Sequence, residues 1–444
     1  MSTTNTSGDG KTVFLVDDDS STANLYSNRL QQAGFKTTSA TGAEEAFEAL
    51  PNLSADLIIL DLMQPRLGGF QMLERIRANS RHKNTPILVL SNPYLPEMAQ
   101  RALRAGGNKA LLKSECTSSE LIYVSRELIS IAEAGGTDQQ NADGASGNGD
   151  THERDSSDEP AAASLAEQLK KALMEQGGAE VAAVKQHCVR YAEVADLEEG
   201  DEHLDKVYQS IRSLCARAGL AGCGKIAQLT GAIEAMLFEQ VFRLKNGLSP
   251  SSIQTLVQAV DCLDRLFASG NGGSAASSCK AKVLLVDDDA VCNMANEVAL
   301  KRANYEAASA TDGSSALMLL NDDPFDLILL DINMPVMNGV EVCQKLRAIP
   351  HHKNTPVIFV TLYDDFQNRA QSQQSGGDDF ISKPISPFEL IVKATVFLLS
   401  ANKPQAAEEP PRKKSPKPQS GAQSKPADRG SRRGSPKPTG VRRR

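Results

Sequence analysis

No stretch of this 444-residue chain approaches the ~20 consecutive apolar residues that a bilayer-crossing helix requires. Its opening, MSTTNTSGDG, has no charged segment followed by an apolar one, which argues against a secretory signal. The eight cysteines, at 116, 188, 215, 223, 262, 279, 292 and 343, form no CxxC pair and no Cys/His cluster at zinc spacing. They read as reduced packing residues in a cytoplasmic chain. Apolar content of 40% and charged content of 23% are ordinary for soluble globular protein.

What is present is a repeat. Asp18, Asp61, Ser91 and Lys113 recur 270 positions later as Asp288, Asp331, Thr361 and Lys383. The same ungapped offset lays DLIIL (56–60) on DLILL (326–330) and HKNTP (82–86) on HKNTP (352–356). A register kept this long implies two copies of one domain, at 11–134 and 280–401. Between them lie an acidic flexible linker (135–161), a region of helical periodicity (162–268) and a short polar linker (269–279). After them comes a tail from 402. Within residues 403–444 there are 13 Lys or Arg against Glu408, Glu409 and Asp428, a balance of +10 in a chain whose total is −7. This tail contains SPKP twice and almost no large apolar residue, so it is expected to be disordered.

Each copy alternates short apolar runs with helical patterns. In the second copy VLLV (283–286), DLILL (326–330), PVIFV (356–360) and DDFIS (378–382) read as strands, with amphipathic helices at 291–303 and 338–348. Strand–helix alternation of this kind builds a doubly wound parallel sheet with helices on both faces, an α/β fold. Ligands of such sheets bind at the carboxyl ends of the strands. Asp287 and Asp288, Asp331, Thr361 and Lys383 all follow strands, so the topology delivers them to one edge. The copies begin with VFLVDDD and VLLVDDD, and acids this close repel unless they share a cation. Carboxylates beside a lysine and a hydroxyl suit Mg²⁺, which takes oxygen ligands. A turn-forming role explains any one such aspartate, but not four matched positions in two copies.

The pattern resembles the receiver domain of two-component response regulators, a flavodoxin-like fold with a five-stranded parallel sheet. The match rests on an acidic pair after the first strand, an acceptor aspartate after the third, Ser or Thr after the fourth and Lys-Pro after the fifth. In the second copy these are Asp287 and Asp288, Asp331 in DINMPVMNG, Thr361, and Lys383 with Pro384. The resemblance implies that Asp331 accepts a phosphoryl group from a sensor histidine kinase, a histidine phosphotransfer protein or a small phosphodonor. It implies that Mg²⁺ is held by Asp288, Asp331 and the Asn333 carbonyl, with Asp287 acting largely through water. Lys383 and Thr361 would contact phosphoryl oxygens. Phe380 stands at the switch-aromatic position, where a plain core aromatic is the equal alternative.

The first copy keeps Asp17, Asp18, Asp61, Ser91 and Lys113, which implies the same acceptor chemistry on Asp61, with Mg²⁺ held by Asp17, Asp18, Asp61 and Met63. It departs from the pattern at Met63 in place of Asn333, at Gln64, at Ala110 in the switch position, and at Ser114 where proline is usual. Met63 is expected to screen an aspartyl phosphate from water, giving the two phosphates different lifetimes. In the middle region, apolar residues at helical spacing, such as Leu204, Val207, Tyr208, Ile211 and Leu214, predict an antiparallel all-α bundle. Its segment YQSIRSLCARAG resembles the histidine phosphotransfer motif, with Ser210, Ile211, Arg212 and Gly219 in place and Gln209 where the histidine belongs. Glutamine cannot relay phosphate. A decayed transfer domain that docks receivers or dimerises, a structural bundle, and a bundle using His187 or His203 all remain readings of this region.

Two functions follow. One is a non-enzymatic phospho-accepting signalling protein acting through a downstream protein target. The other is a scaffold acting through the bundle and a tail that binds nucleic acid or an anionic membrane, with a merely solubilising tail as the alternative.

Overall fold

The computed structural model describes residues 10–64, 69–134, 159–194, 197–245, 247–270, 280–362 and 376–400. The basic tail, most of both linkers and Cys279 lie outside these residues.

Copy one runs β1 (Thr12–Val16), α1 (Ser20–Gln32), β2 (Lys36–Ala40), α2 (Ala43–Ala49), β3 (Leu57–Asp61), α3 (Gly69–Ala78), β4 (Ile87–Ser91), α4 (Pro96–Arg104), β5 (Lys109–Leu112) and α5 (Ser118–Glu133). The sheet is parallel throughout, in the order β2-β1-β3-β4-β5. Strands β3 and β4 are buried along their whole length because helices cover both faces, so they carry unbroken apolar runs. Strand β2, KTTSA, lies at the sheet edge and is mostly exposed, which is why no apolar run marks it.

The middle region is helical: α6 (Glu159–Glu193), α7 (Leu197–Leu220), α8 (Gly224–Leu237) with a π-helical continuation (Phe238–Arg243), and α9 (Pro250–Ala268). Helix α6 runs unbroken through Gly177 and Gly178. A Cβ at Gly177 would lie 2.2 Å from the Phe267 ring, so the glycine serves the packing of α6 on α9 and does not break the helix. From Ile226 to Leu237, α8 is buried on nearly every side, as expected of a helix enclosed by neighbours rather than lying on a surface.

Copy two runs β6 (Lys282–Val286), α10 (Ala290–Arg302), β7 (Glu306–Ala310), α11 (Gly313–Asp322), β8 (Leu327–Asp331), α12 (Gly339–Leu346), β9 (Val357–Leu362), β10 (Asp379–Lys383) and α13 (Pro387–Ser400). Its sheet order, β10-β9-β8-β6-β7, is that of copy one read from the other edge. Again the edge strand, EAASA, has no apolar run.

Helix α8 meets both copies. Its Gln228 carbonyl accepts from Tyr94 Oη of copy one at 3.1 Å, while the Gln228 side chain donates to Tyr305 Oη of copy two at 3.1 Å. On the copy-two side, buried Glu389 accepts hydroxyl hydrogen bonds from Ser251, Ser252 and Thr255 of α9. Charge-assisted bonds of this kind are stronger than neutral ones and fix α13 against the bundle.

Candidate functional sites at the two acidic pockets

The structure divides each acidic triplet between two tasks. Asp19 and Asp289, the last of each, cap the following helix, accepting from Ser21 N at 3.0 Å and Val291 N at 2.8 Å. The first two of each triplet meet the aspartate that ends β3 or β8. Carboxylate oxygens of Asp17, Asp18 and Asp61, and likewise of Asp287, Asp288 and Asp331, lie within 4.8 Å of one another. Carboxylates so close need positive charge among them.

In copy two part of that charge comes from Lys383, at the end of β10. Its Nζ lies 2.7 Å from Asp331 Oδ2 and 2.8 Å from Asp287 Oδ2, the second contact being an ion pair outside hydrogen-bonding geometry. Burial lowers the lysine's pKa, but the Asp287 and Asp331 carboxylates beside it outweigh this and hold it above the ordinary value. Thr361 is fully buried at the end of β9, next to Asp331 in the sheet, where β8 and β9 pair Asp331 with Val360. Asp331 Oδ1 accepts from Asn333 N at 3.1 Å. Three carboxylates against one ammonium leave a deficit of positive charge in a set of oxygen donors. This set fits Mg²⁺. Phe380 stacks on Phe359 with ring centroids 6.0 Å apart and packs against the copy-two core.

In copy one the same donors are engaged by the bundle. Arg212 of α7 donates to Asp17 Oδ1 at 2.7 Å, to Asp18 Oδ1 at 2.5 Å and to Asp61 Oδ2. Tyr208 Oη donates to the Met63 carbonyl at 2.9 Å. Lys113 Nζ donates to Asp61 Oδ2 at 2.6 Å and also pairs with Glu234 of α8 at 3.5 Å. Glu234 in turn accepts from Asn92 Nδ2 at 3.0 Å and lies 3.8 Å from Arg212 Nε. All of these side chains except Asp18 are buried. Burial pushes the Asp17 carboxyl up to about 7, against the pull of Arg212. Burial acts the same way on Asp61, but Lys113 and Arg212 outweigh it and hold that carboxyl below its ordinary value. These residues do not fit Mg²⁺ while the bundle is in place, because guanidinium and phenol hold the oxygens a metal would need.

The response regulator receiver domain family matches residues 13–124 and 283–395, a little over half of the chain. The chain belongs to this family. Each copy is therefore a receiver domain, and the family match leaves the central helices unassigned. Among curated relatives, the transcriptional regulatory protein ResD of Bacillus subtilis is 37% identical over 123 residues, covering 28% of this chain and 50% of that protein. The transcriptional regulatory protein SrrA of Staphylococcus aureus is 35% identical over 117 residues, or 26% of this chain and 47% of that protein. The chain spans about half the length of the curated relatives it matches. Among solved structures, the chemotaxis protein CheY4 of Vibrio cholerae is 33% identical, covering 26% of this chain and 94% of that one with a TM-score of 0.25.

The aspartates and lysines read from the sequence meet in the two receiver pockets, and Ser91 and Thr361 lie at the carboxyl ends of the neighbouring strands β4 and β9. What sequence reasoning missed is the bundle's share of receiver 1: Arg212, Tyr208 and Glu234, with Asn92 and Tyr94 on the receiver side. A signal was present. Met63 and Ser114 were noted as departures from the receiver pattern, and both are contact residues. Met63 packs in the bundle's apolar cluster, and Ser114 Cβ lies 3.6 Å from where a side chain on Gly231 would begin. Gly219 of the phosphotransfer-like motif also has its reason here, since a Cβ there would stand 2.2 Å from the Lys113 carbonyl. Gln209, at the motif's histidine position, is exposed, whereas Arg212 one turn later is buried in the pocket. His187 and His203 face each other across α6 and α7 with Nδ1 atoms 3.0 Å apart.

Proposed function

We propose that the chain is a response regulator that accepts a phosphoryl group on Asp331 from a histidine kinase or histidine phosphotransfer protein and passes the signal on through protein contacts. The observation that carries this reading is the receiver 2 constellation of Asp287, Asp288, Asp331, Thr361 and Lys383 at one sheet edge. An Asp331 carboxylate oxygen attacks phosphorus in line; the new P–O bond forms as the bond to the donor's imidazole nitrogen, or to an acyl oxygen, breaks. Lys383 neutralises a phosphoryl oxygen and the Thr361 hydroxyl donates to another, both roles being electrostatic rather than covalent. Asp288, Asp331 and the Asn333 carbonyl would hold Mg²⁺, with Asp287 acting largely through water, and the ion would supply positive charge to neutralise the reacting oxygens. No helix among the described residues is long and apolar enough to cross a membrane, which agrees with a cytoplasmic site of action.

The relatives' names speak of transcription, but the match covers only about half of those proteins, and the output proposed for this chain is contact with a protein target. A homodimer, and binding of nucleic acid or anionic membrane by the basic tail, are compatible additions.

The test is phosphate counting by mass spectrometry after exposure to acetyl phosphate and Mg²⁺. Wild type takes up phosphate and Asp331→Asn loses that uptake, while Lys383→Ala slows it by about 100-fold, the cost of one electrostatic group. Undiminished uptake in Asp331→Asn overturns the reading.

A further inference from the structure

The acidic pocket of receiver 1 contains the same acids as that of receiver 2, yet its oxygens are distributed differently. Each expected metal donor is engaged by a side chain of the helical bundle: Asp17, Asp18 and Asp61 by Arg212, and the Met63 carbonyl by Tyr208. In the other direction, the receiver's Lys113 and Asn92 hold the bundle's buried Glu234. Charge complementarity is therefore reciprocal, each partner providing a cation for the other's anion. The remaining contacts fit the same docking. Tyr94 caps the Gln228 carbonyl, Asn92 donates to the Gly231 carbonyl at 2.8 Å, and Gly219 brings α7 against the Lys113 backbone. The bundle meets receiver 2 through other groups, the α9 hydroxyls and Gln240 on Glu389 and Ser386, and among the described residues none of its cations reaches Asp287, Asp288 or Asp331.

We infer that the receiver 1 pocket is an arginine-binding docking site for this chain's own helical bundle, in which Arg212 takes the place of the divalent cation. A guanidinium is permanently charged, offers five donors in a planar fork and matches several carboxylate oxygens at once. It thereby supplies the charge that the acid cluster demands, and the space and oxygens it uses are those a metal would require. In the intact chain receiver 1 takes up neither Mg²⁺ nor phosphate while α7 is seated. The departures at Met63 and Ser114 suit the docked bundle rather than phosphoryl turnover. Asp61 and the buried Ser91 hydroxyl, which has no hydrogen-bond partner among the described residues, become available when α7 withdraws. The inference rests on reading the triad as a cation site, and not on phosphate uptake by Asp331.

The test counts Mn²⁺ bound to the full-length chain by electron paramagnetic resonance, the ion serving as an oxygen-seeking stand-in for Mg²⁺. Wild type is expected to bind one ion, at receiver 2, and Arg212→Ala two. Arg212→Gln, which keeps most of the side chain's bulk, is the companion variant, and circular dichroism verifies that helix content is retained. In an Asp288→Ala background the expected counts fall to none for the otherwise wild-type chain and one for Arg212→Gln. Two ions of similar affinity in wild type, or no gain in folded Arg212→Ala and Arg212→Gln, overturns the inference. A wild-type count of none with a gain of one in Arg212→Gln supports it while removing the reading of receiver 2.

Discussion

Glu234 shows how a single buried charge can be indispensable without being catalytic. It is fully buried in the bundle, and its partners Lys113 and Asn92 belong to receiver 1. Its removal takes a charged acceptor from the Asn92 amide and a 3.5 Å ion pair from Lys113, which keeps Asp61, and a buried hydrogen bond to a charged group is worth about 1.5–3 kcal/mol. Glu234→Ala is expected to destabilise the full-length chain by about that amount, read from the urea midpoint, and Glu234→Gln by less because it still accepts from Asn92. Equal midpoints for wild type and Glu234→Ala would mean that the docking seen here contributes nothing. His187 offers a pH effect at the same scale. Burial, and the neighbouring His203, hold its pKa below the ordinary value of 6.5. The folded state then binds fewer protons than the unfolded state, so the contribution is present above pH 6.5 and is lost as pH falls through and below that value. Wild type is expected to lose stability on acidification over this window more steeply than His187→Gln, as measured by thermal melts at stepped pH.

Among the helices, two glycines separate packing from propensity. A methyl group at Gly219 would collide with the Lys113 carbonyl, whereas one at Gly178 meets nothing within 4 Å. Gly178→Ala should therefore stabilise α6 by up to about 1 kcal/mol, the ordinary helix-propensity gain. Gly219→Ala should instead lift α7 from receiver 1, raise hydrogen exchange in 209–220, and let a second Mn²⁺ bind. Unchanged exchange in Gly219→Ala would show that α7 can shift without undocking. The elements most legible in the sequence were those with continuous apolar runs, such as DLILL and PVIFV, because central parallel strands are buried on both faces. Edge strands KTTSA and EAASA escaped because edge position asks for no apolar run. Gly177 does not interrupt α6, because its missing side chain leaves room for the Phe267 ring.

For the molecule as a whole, the two receivers stand in different relations to one bundle. Helix α8 touches both, through Gln228 to Tyr94 and Tyr305, and exposed Glu97 and Arg302 form a direct ion pair between the copies. A ligand that binds only the folded state stabilises it by mass action, about 2.7 kcal/mol at 100 times its dissociation constant. Saturating Mg²⁺ is expected to raise the wild-type melting temperature through receiver 2, and Asp288→Ala to abolish that rise. A rise that survives in Asp288→Ala would point to metal in receiver 1 and count against Arg212 as its resident cation.

The sequence by itself determined the repeat, the α/β class and the convergence of Asp17, Asp18, Asp61 and Lys113, and of their partners 270 positions later, because strand ends in a parallel sheet deliver residues to one edge whatever surrounds the domain. It also marked Met63 and Ser114 as departures from the receiver pattern and Gly219 as part of a phosphotransfer-like motif, without saying what any of them contacts. Only the tertiary structure decided that Arg212 and Tyr208 enter the first pocket and that Lys383 of the second is left to its own receiver. Those contacts join residues 145 to 195 positions apart on separate domains, and no local periodicity or spacing encodes which face of a bundle meets which edge of a sheet. Docking depends on shape and on matched charge across an interface, and these exist only once both surfaces have folded.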